Sequence, residues 1–328
     1  MRSSRIWKRR SVRHEPKSEA VRELLQEFES TSLELQPHAG KSGFSGALIW
    51  RASGGKLDLC LRGWPETESS PERIRTIHHW MREARRAGLT FVPKLWTCGD
   101  GQTCIKRRGR LWDVSQWMSG EASFHEKPSH ARLQQACRAL AQLHLAWQRL
   151  DRRNDRCPGV SQRLKRAGQW HRITSQIGLI QRADQALARW MPFVPTLLAF
   201  WENQRLPLQP CLCDIWHDHV LFEKDQVSGI IDYGNAKMDH VSVDLARLLG
   251  SLIGDDEESW ELGLTAYREV RPLTVEEEAF ARVLDRTGVV IAVWNWIRWW
   301  VIEKRSLDES RAEQRLTSLL DRMESWRS

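Results

Sequence analysis

Asp214 and Asp232 are two carboxylates 18 residues apart, each beside a short apolar run. Val220, Leu221 and Phe222 read as one arm of a hairpin and Val227 to Ile231 as the other, turned by Glu223 to Gln226. A hairpin of that size brings its ends together. An acid just before the first arm and an acid just after the second then face one site. One of them can take a proton from a hydroxyl while the other holds a metal-bound phosphate, which is the minimum apparatus for phosphoryl transfer.

The residues around these acids carry a resemblance. Asp214 is followed five positions on by the polar His219, then by the apolar hairpin, then by Ile231, Asp232, Tyr233 and Gly234. This pattern resembles the catalytic and metal-binding segments of the aminoglycoside phosphotransferase/choline kinase family. Downstream, Asp239 to Leu249, containing Asp244, Leu245 and Ala246, is similar to that family's "D-L-A" helix. The resemblance spans roughly residues 30–305. It implies a two-lobed, protein-kinase-like α+β fold, with ATP and Mg²⁺ as cofactors and a small-molecule hydroxyl as acceptor. In that pattern Asp214 stands for the catalytic base and Asp232 for the metal ligand. The family usually reads His-Gly-Asp-x-His-x-Gly-Asn, whereas this chain has Leu212, Cys213, Asp214, Ile215, Trp216, His217, Asp218 and His219. His219 therefore occupies the position of a metal-binding Asn. Mg²⁺ prefers oxygen, and imidazole suits Zn²⁺ and similar metals. Three alternatives stay open: His219 bonds a phosphate or water, Asp218 supplies the missing oxygen, or one metal site is lost.

Gly40, Gly43 and Gly46 are spaced by three, and such glycines let backbone N–H groups approach phosphate oxygens. Gly40, Lys41 and Ser42 do not make a Walker A loop, because position 35 is Leu and a strand follows instead of a helix. Between two strands, such a loop is either an ordinary hairpin turn or, as the resemblance implies, the cover over nucleotide phosphates. By the same resemblance Arg62 on the third strand contacts the phosphates, with Glu72 or Glu83 on the next helix as its partner. Glu72 fits the family spacing better, and it also suits a plain first-turn dipole complement. Residues Trp112 to Met118, with Gln116 and Met118, resemble the family's segment where adenine meets backbone groups, and read equally as a plain edge strand.

The elements that must position these residues follow from periodicity. A helix is expected over 18–29, then strands at 33–35, 47–52 and 57–62, and a helix at 71–87 with Pro and Glu in its first turn and Gly88 after it. Further short strands are expected at 94–98, 103–106 and 111–117. From Ser129 the chain reads as helical over 129–149, about 160–205, 242–253, 257–270 and 275–304, and the only strong strand signals lie around the two acids. A β-rich part followed by an α-rich part argues for an α+β fold. The expected organisation is a basic arm and helix over 1–30, a β-rich nucleotide-binding lobe over 31–118, and a helical lobe over 119–328.

Several residues have simpler readings. Asp244 could cap the helix it begins, although the resemblance suggests that it also braces the catalytic loop. His144 lies on an apolar helix face and reads as a satisfied core residue. Trp294, Trp296, Trp299 and Trp300 read as a buried helix, with a pocket wall as the alternative. Cys211, Cys213, His217 and His219 could bind Zn²⁺, but their spacing is not a usual zinc pattern.

With 328 residues, 41% hydrophobic and 28% charged, the chain is an ordinary globular sequence. Its net charge of +8 suits anionic ligands such as nucleotides. Six arginines and lysines within residues 1–13 form a solvated arm with no apolar segment behind it. Seven scattered cysteines fit reduced thiols in the cytoplasm. The longest apolar run, Val289 to Trp300, is too short for a bilayer, which needs about 20 residues. The expected function is ATP-dependent phosphorylation of a small molecule, with no membrane or nucleic-acid partner. Two other classes fit parts of the sequence: a catalytically weak nucleotide-binding regulator, from His219, and a basic nucleic-acid binder, from the arginine-rich start.

Overall fold

The computed structural model describes residues 18–28, 33–38, 46–65, 70–305 and 308–326. The arm over 1–13 and the loop glycines Gly40 and Gly43 lie outside them. The chain divides into two compact units, 1–75 with 95–117, and 76–94 with 118–328.

The smaller unit contains α1 (Ser18–Glu27), β1 (Glu34–Pro37), β2 (Leu48–Gly54), β3 (Leu57–Gly63), the start of α2 (Pro71–Arg86), β4 (Ile105–Arg107) and β5 (Arg110–Gln116). Its strands form one antiparallel sheet in the order β1-β2-β3-β5-β4. Val21, Leu24, Leu25 and Phe28 recur at helical spacing. They bury one face of α1 with Trp50, Leu59, Leu61, Trp112 and Val114 from the sheet. Each such side chain contributes about 1.5–3 kcal/mol on leaving water. The strand expected at 94–98 reduces to a single bridge, Leu95 opposite Ser115, because Cys98 already turns back to bond Gln102.

The larger unit contains α3 (His130–Trp147), β6 (Arg153–Arg156), α4 (Pro158–Gly168), α5 (Gly178–Trp190), α6 (Phe193–Glu202), β7 (Arg205–Cys211), β8 (Val220–Glu223), β9 (Gln226–Ile230), β10 (Lys237–Asp239), α7 (Ser242–Ile253), α8 (Glu257–Arg268), α9 (Val275–Ile297) and α10 (Glu309–Glu324). The hairpin β8–β9 forms at the expected place, with Lys224 at positive φ in its turn. Where one helix was expected over 160–205 there are three. Pro192 starts the last of them, and Asp184 ties down the loop between the first two through Arg172 and the Ile173 N–H. A three-stranded sheet, β10-β7-β6, was not expected, and neither was α10. The tryptophan-rich end of α9 is core: Trp294, Trp296 and Ile297 pack with Leu316, Leu320 and Met323 of α10. Among the described residues, no helix is long and apolar enough to cross a membrane, and all seven cysteines are free thiols.

The element order is that of a two-lobed α+β, protein-kinase-like fold. Within the larger unit one close approach fixes where the hairpin lies. Gly120 sits at φ 92°, and a Cβ there would fall 2.2 Å from Ser228 Oγ and 2.8 Å from the Phe222 carbonyl oxygen. Only glycine lets the chain pass the hairpin so closely.

Candidate active site

β7 delivers the chain to Asp214 through a bend at Cys213, whose φ of 62° is in the left-handed region. Asp244, fully buried on α7, holds that bend. Its Oδ1 accepts the Cys213 N–H at 2.6 Å, and its Oδ2 accepts the Leu212 N–H at 2.7 Å and His144 Nε2–H at 3.0 Å. His144 Nδ1 accepts in turn from the Tyr267 hydroxyl at 2.7 Å. A carboxylate can only accept, so His144 carries its proton on Nε2. Burial pushes His144 down and Tyr267 well up, so both are neutral. Asp244 makes no cap on its own helix and braces the loop that leads into Asp214 instead. His144 is the satisfied core residue expected.

The Asp214 carboxylate is about one-third exposed and held from two sides. Oδ1 accepts from Arg247 Nη2 at 3.0 Å and Nε at 3.3 Å, and Oδ2 accepts from Asn235 Nδ2 at 3.2 Å. Arg247 lies three residues after Asp244 on α7, so one helix fixes both the backbone before Asp214 and its side chain.

At the other end of the hairpin, Asp232 sits at φ 59°, and its Oδ1 accepts the Gly234 N–H at 3.2 Å. His219 spans the two acids. Its Nδ1 donates to the Asp214 carbonyl at 2.8 Å, and its Nε2 accepts from Trp216 Nε1 at 2.9 Å. Indole only donates and a carbonyl only accepts, so both ring nitrogens are committed and the proton is on Nδ1. Nε2 lies 3.8 Å from Asp232 Oδ2, and the Ile231 N–H bonds the His219 carbonyl at 2.9 Å. The hairpin thus brings the two acids to one place.

Asp218 is more than one-third exposed, with His217 Nε2 3.6 Å away and the Arg315 charge close enough to be felt. His217 packs edge-on to His125 and is pushed down to about 3 by burial, with Arg315, His125 and Arg247 around it. Arg315, on α10, lies 4.0 Å over the Trp216 ring.

The zinc grouping does not assemble. Among the described residues, the ligand atoms close enough to hold a metal are those of His144, Cys211 and Asp244, already tied to each other or to backbone. Burial pushes the Cys211 and Cys213 thiols well up.

In the smaller unit, Gly46 has φ 74° and its carbonyl accepts from Arg110 at 3.3 Å. The Arg62 guanidinium lies 4.3 Å over the Trp64 ring. Glu72 accepts from Arg75 at 3.0 Å in the exposed first turn of α2, and Glu83, beyond the smaller unit, pairs with Arg86. Gln116 ends β5 opposite Leu59, and Met118 is buried in the larger unit against Gly229. Sequence reasoning missed Asn235, Arg247 and Arg315. The spacing from Asp244 to Arg247 was a usable signal for the second.

A family model described as "Phosphotransferase enzyme family" matches residues 35–298. A homoserine kinase from Cupriavidus metallidurans (strain ATCC 43123 / DSM 2839 / NBRC 102507 / CH34) is 25% identical over 236 residues, covering 68% of this chain and 67% of that protein. One from Gluconacetobacter diazotrophicus (strain ATCC 49037 / DSM 5601 / CCUG 37298 / CIP 103539 / LMG 7603 / PAl5) is 29% identical over 203 residues, covering 58% and 60%. The chain thus spans about two-thirds or less of these relatives' length. A solved amicoumacin kinase, in complex with AMP-PNP and Ca²⁺, has 12% identity and a TM-score of 0.67 over 93% of each chain, a likeness of fold. The matched span holds both acids, the hairpin between them and the Asp244 brace, and the chain belongs to the phosphotransferase enzyme family.

Proposed function

We propose that this chain transfers the γ-phosphoryl group of ATP to a hydroxyl of a small molecule, with Asp214 as the base. The observation that carries this is the His219 strut, which runs from the Asp214 carbonyl to within 3.8 Å of the Asp232 carboxylate. It sets a proton acceptor beside a metal-ligating acid. The names of the relatives, homoserine kinases, make the hydroxyl of homoserine the first acceptor to try. The nucleotide in the amicoumacin kinase supports ATP as donor.

Mg²⁺ is a hard cation that binds oxygen, and the accessible donors fit it. Asp232 and Asp218 are each about one-third exposed carboxylates, while both nitrogens of His219 are taken. In this reading Asp232 and Asp218 hold Mg²⁺ and His219 positions Asp214 without ligating. Bound there, Mg²⁺ supplies charge neutralisation on the phosphates. Arg247 and Asn235 fix the Asp214 carboxylate so that it receives the acceptor's proton in line with transfer. Gly46, with Gly40 and Gly43, and Arg62 serve the phosphates. Gln116 and Met118 serve adenine, and Glu72 acts as a first-turn acid of α2.

The test is a thermal melt with ATP, with and without Mg²⁺, on the wild type and on Asp232→Ala. Ligand at about 100 times its dissociation constant stabilises by roughly 2.7 kcal/mol. A Mg²⁺-dependent shift that disappears in Asp232→Ala is expected. In Asp214→Asn the shift should persist while ADP production stops. No shift with any divalent metal would overturn the reading.

A further inference from the structure

Arg315 is a guanidinium that senses the Asp214 charge and, among the described residues, has nothing bonded to its N–H groups. It is carried by α10, which anchors through the buried Ala312, Leu316 and Leu320. Its charge lies 4.0 Å over the Trp216 ring. Among the described residues it makes no hydrogen bond or ion pair. Burial, with Arg247 close by, pushes it down to about 10 against the pull of Asp218 and Asp214.

Arg247 has a similar surplus. Its Nε and Nη2 both go to the single oxygen Asp214 Oδ1, and its Nη1 has no hydrogen bond among the described residues. The charged groups that Arg315 senses are Arg247, Asp218 and Asp214. The cation therefore sits on the Asp214 side of the site.

We infer that Arg315 and Arg247 form a carboxylate-binding subsite for the acceptor, so that the substrate class is hydroxy acids, including hydroxylated amino acids. This rests on the phosphotransferase reading above. A hydroxyl directed at Asp214 with a carboxylate at the two guanidiniums requires both groups on one small molecule. A guanidinium with open donors pairs with carboxylate in a two-pronged, charge-assisted geometry. An amino alcohol would bring only a cation to the same place. The other anion that could use these donors is a nucleotide phosphate, and the test separates the two.

The full chain is assayed for ADP release with acceptors matched in skeleton: homoserine and its amide, 4-hydroxybutyrate and its amide, and 3-aminopropanol. A charge-assisted bond changes affinity by about 10- to 100-fold, so the carboxylates should exceed their amides by that factor in kcat/KM. In Arg315→Gln the preference should collapse to within about threefold, through acceptor KM, with the KM for ATP nearly unchanged. Arg315→Lys keeps the charge but loses the planar fork, and should keep part of the preference. A melt of each variant checks folding.

Amides or 3-aminopropanol turned over as well as the carboxylates would overturn the subsite and leave the kinase standing. A rise in the KM for ATP in Arg315→Gln would assign the arginine to the nucleotide and overturn it equally. If nothing is turned over, the melt decides. A Mg²⁺-ATP shift without a further carboxylate-specific shift sinks the subsite alone, and no Mg²⁺-ATP shift sinks the kinase reading and the subsite with it.

Discussion

Replacing Asp244 should damage this protein severely, because three donors converge on a fully buried carboxylate. The side chain is fully buried and accepts from the Leu212 N–H, the Cys213 N–H and His144 Nε2–H at 2.7, 2.6 and 3.0 Å. Asp244→Asn keeps the shape but has one acceptor oxygen. Placed at Oδ2, that oxygen serves Leu212 and His144 and turns an N–H₂ group against the Cys213 N–H. One charge-assisted bond is lost and one buried donor is left unsatisfied, about 3 kcal/mol in total. For a unit of this size, that lowers the melting temperature by about 6–12 °C. Asp244→Ala leaves all three donors without a partner. At about 1–3 kcal/mol each, its cost reaches the whole stability of a typical domain, and little folded protein is expected.

Function should fail alongside stability. Cys213 sits at φ 62° with its N–H on Asp244, and Asp214 is the next residue. Once the bend relaxes, Asp214 moves, and a misplacement of a proposed base by about 1 Å costs roughly 100-fold in rate. The measurements are a urea or thermal melt and, in the folded fraction, kcat for ADP release. An Asp244→Asn variant that melts within 2 °C or so of the wild type would refute the brace. So would full kcat in a variant that melts low, since the brace would then serve the fold without placing Asp214.

Three further outcomes follow from the same geometry. Gly120→Ala puts a Cβ 2.2 Å from Ser228 Oγ at φ 92°, and should cost about 2–4 kcal/mol; melting within a degree of wild type would contradict it. Burial holds His240 down to about 4, well below its unfolded value near 6.5, so the folded state resists protonation that the unfolded state accepts. Stability is therefore full above about pH 6.5 and falls by about 1.4 kcal/mol per pH unit toward pH 4. His240→Asn, which keeps an acceptor for the Ser242 N–H, should be less sensitive by that slope in urea titrations, and parallel curves would refute it. Trp216→Phe removes the donor on His219 Nε2 and leaves its lone pair 3.8 Å from Asp232 Oδ2. Zn²⁺ or Mn²⁺ should then gain on Mg²⁺ in metal-dependent ATP binding, and unchanged metal preference would count against the locked His219.

The parts of this fold that could be read in advance are those whose local pattern agrees with their tertiary role. The β8–β9 hairpin has two apolar arms around a polar turn, and α1 shows Val21, Leu24, Leu25 and Phe28 on one face. The β10-β7-β6 sheet breaks that agreement. Its central strand carries Pro207 and Pro210, and its edge β6 is Arg153-Asn154-Asp155-Arg156, with no apolar alternation. Proline in a central strand argues against a strand at all. The helix α10 is a different case. Asp308 caps it, and Ala312, Leu316, Leu320 and Met323 mark its buried face plainly. The pattern lay beyond the end of the family resemblance, near residue 305, and so α10 went unread along with Arg315.

The departures from the family pattern are connected. An imidazole at position 219 reaches the Asp214 carbonyl with one nitrogen, and the other needs a donor, which Trp216 supplies. The Arg315 guanidinium lies 4.0 Å over the indole at 216. With two cations beside Asp214, Asp218 supplies counter-charge to Arg315 as well as an exposed oxygen. Read singly, His219 looks like a damaged metal ligand. Read with Trp216, Arg315, Arg247 and Asp218, it is one member of a set in which each side chain satisfies or charges its neighbour, and altering one disturbs the others. Substitutions at 216, 219 and 315 should therefore be strongly non-additive, whereas independent losses at a decaying site would simply add.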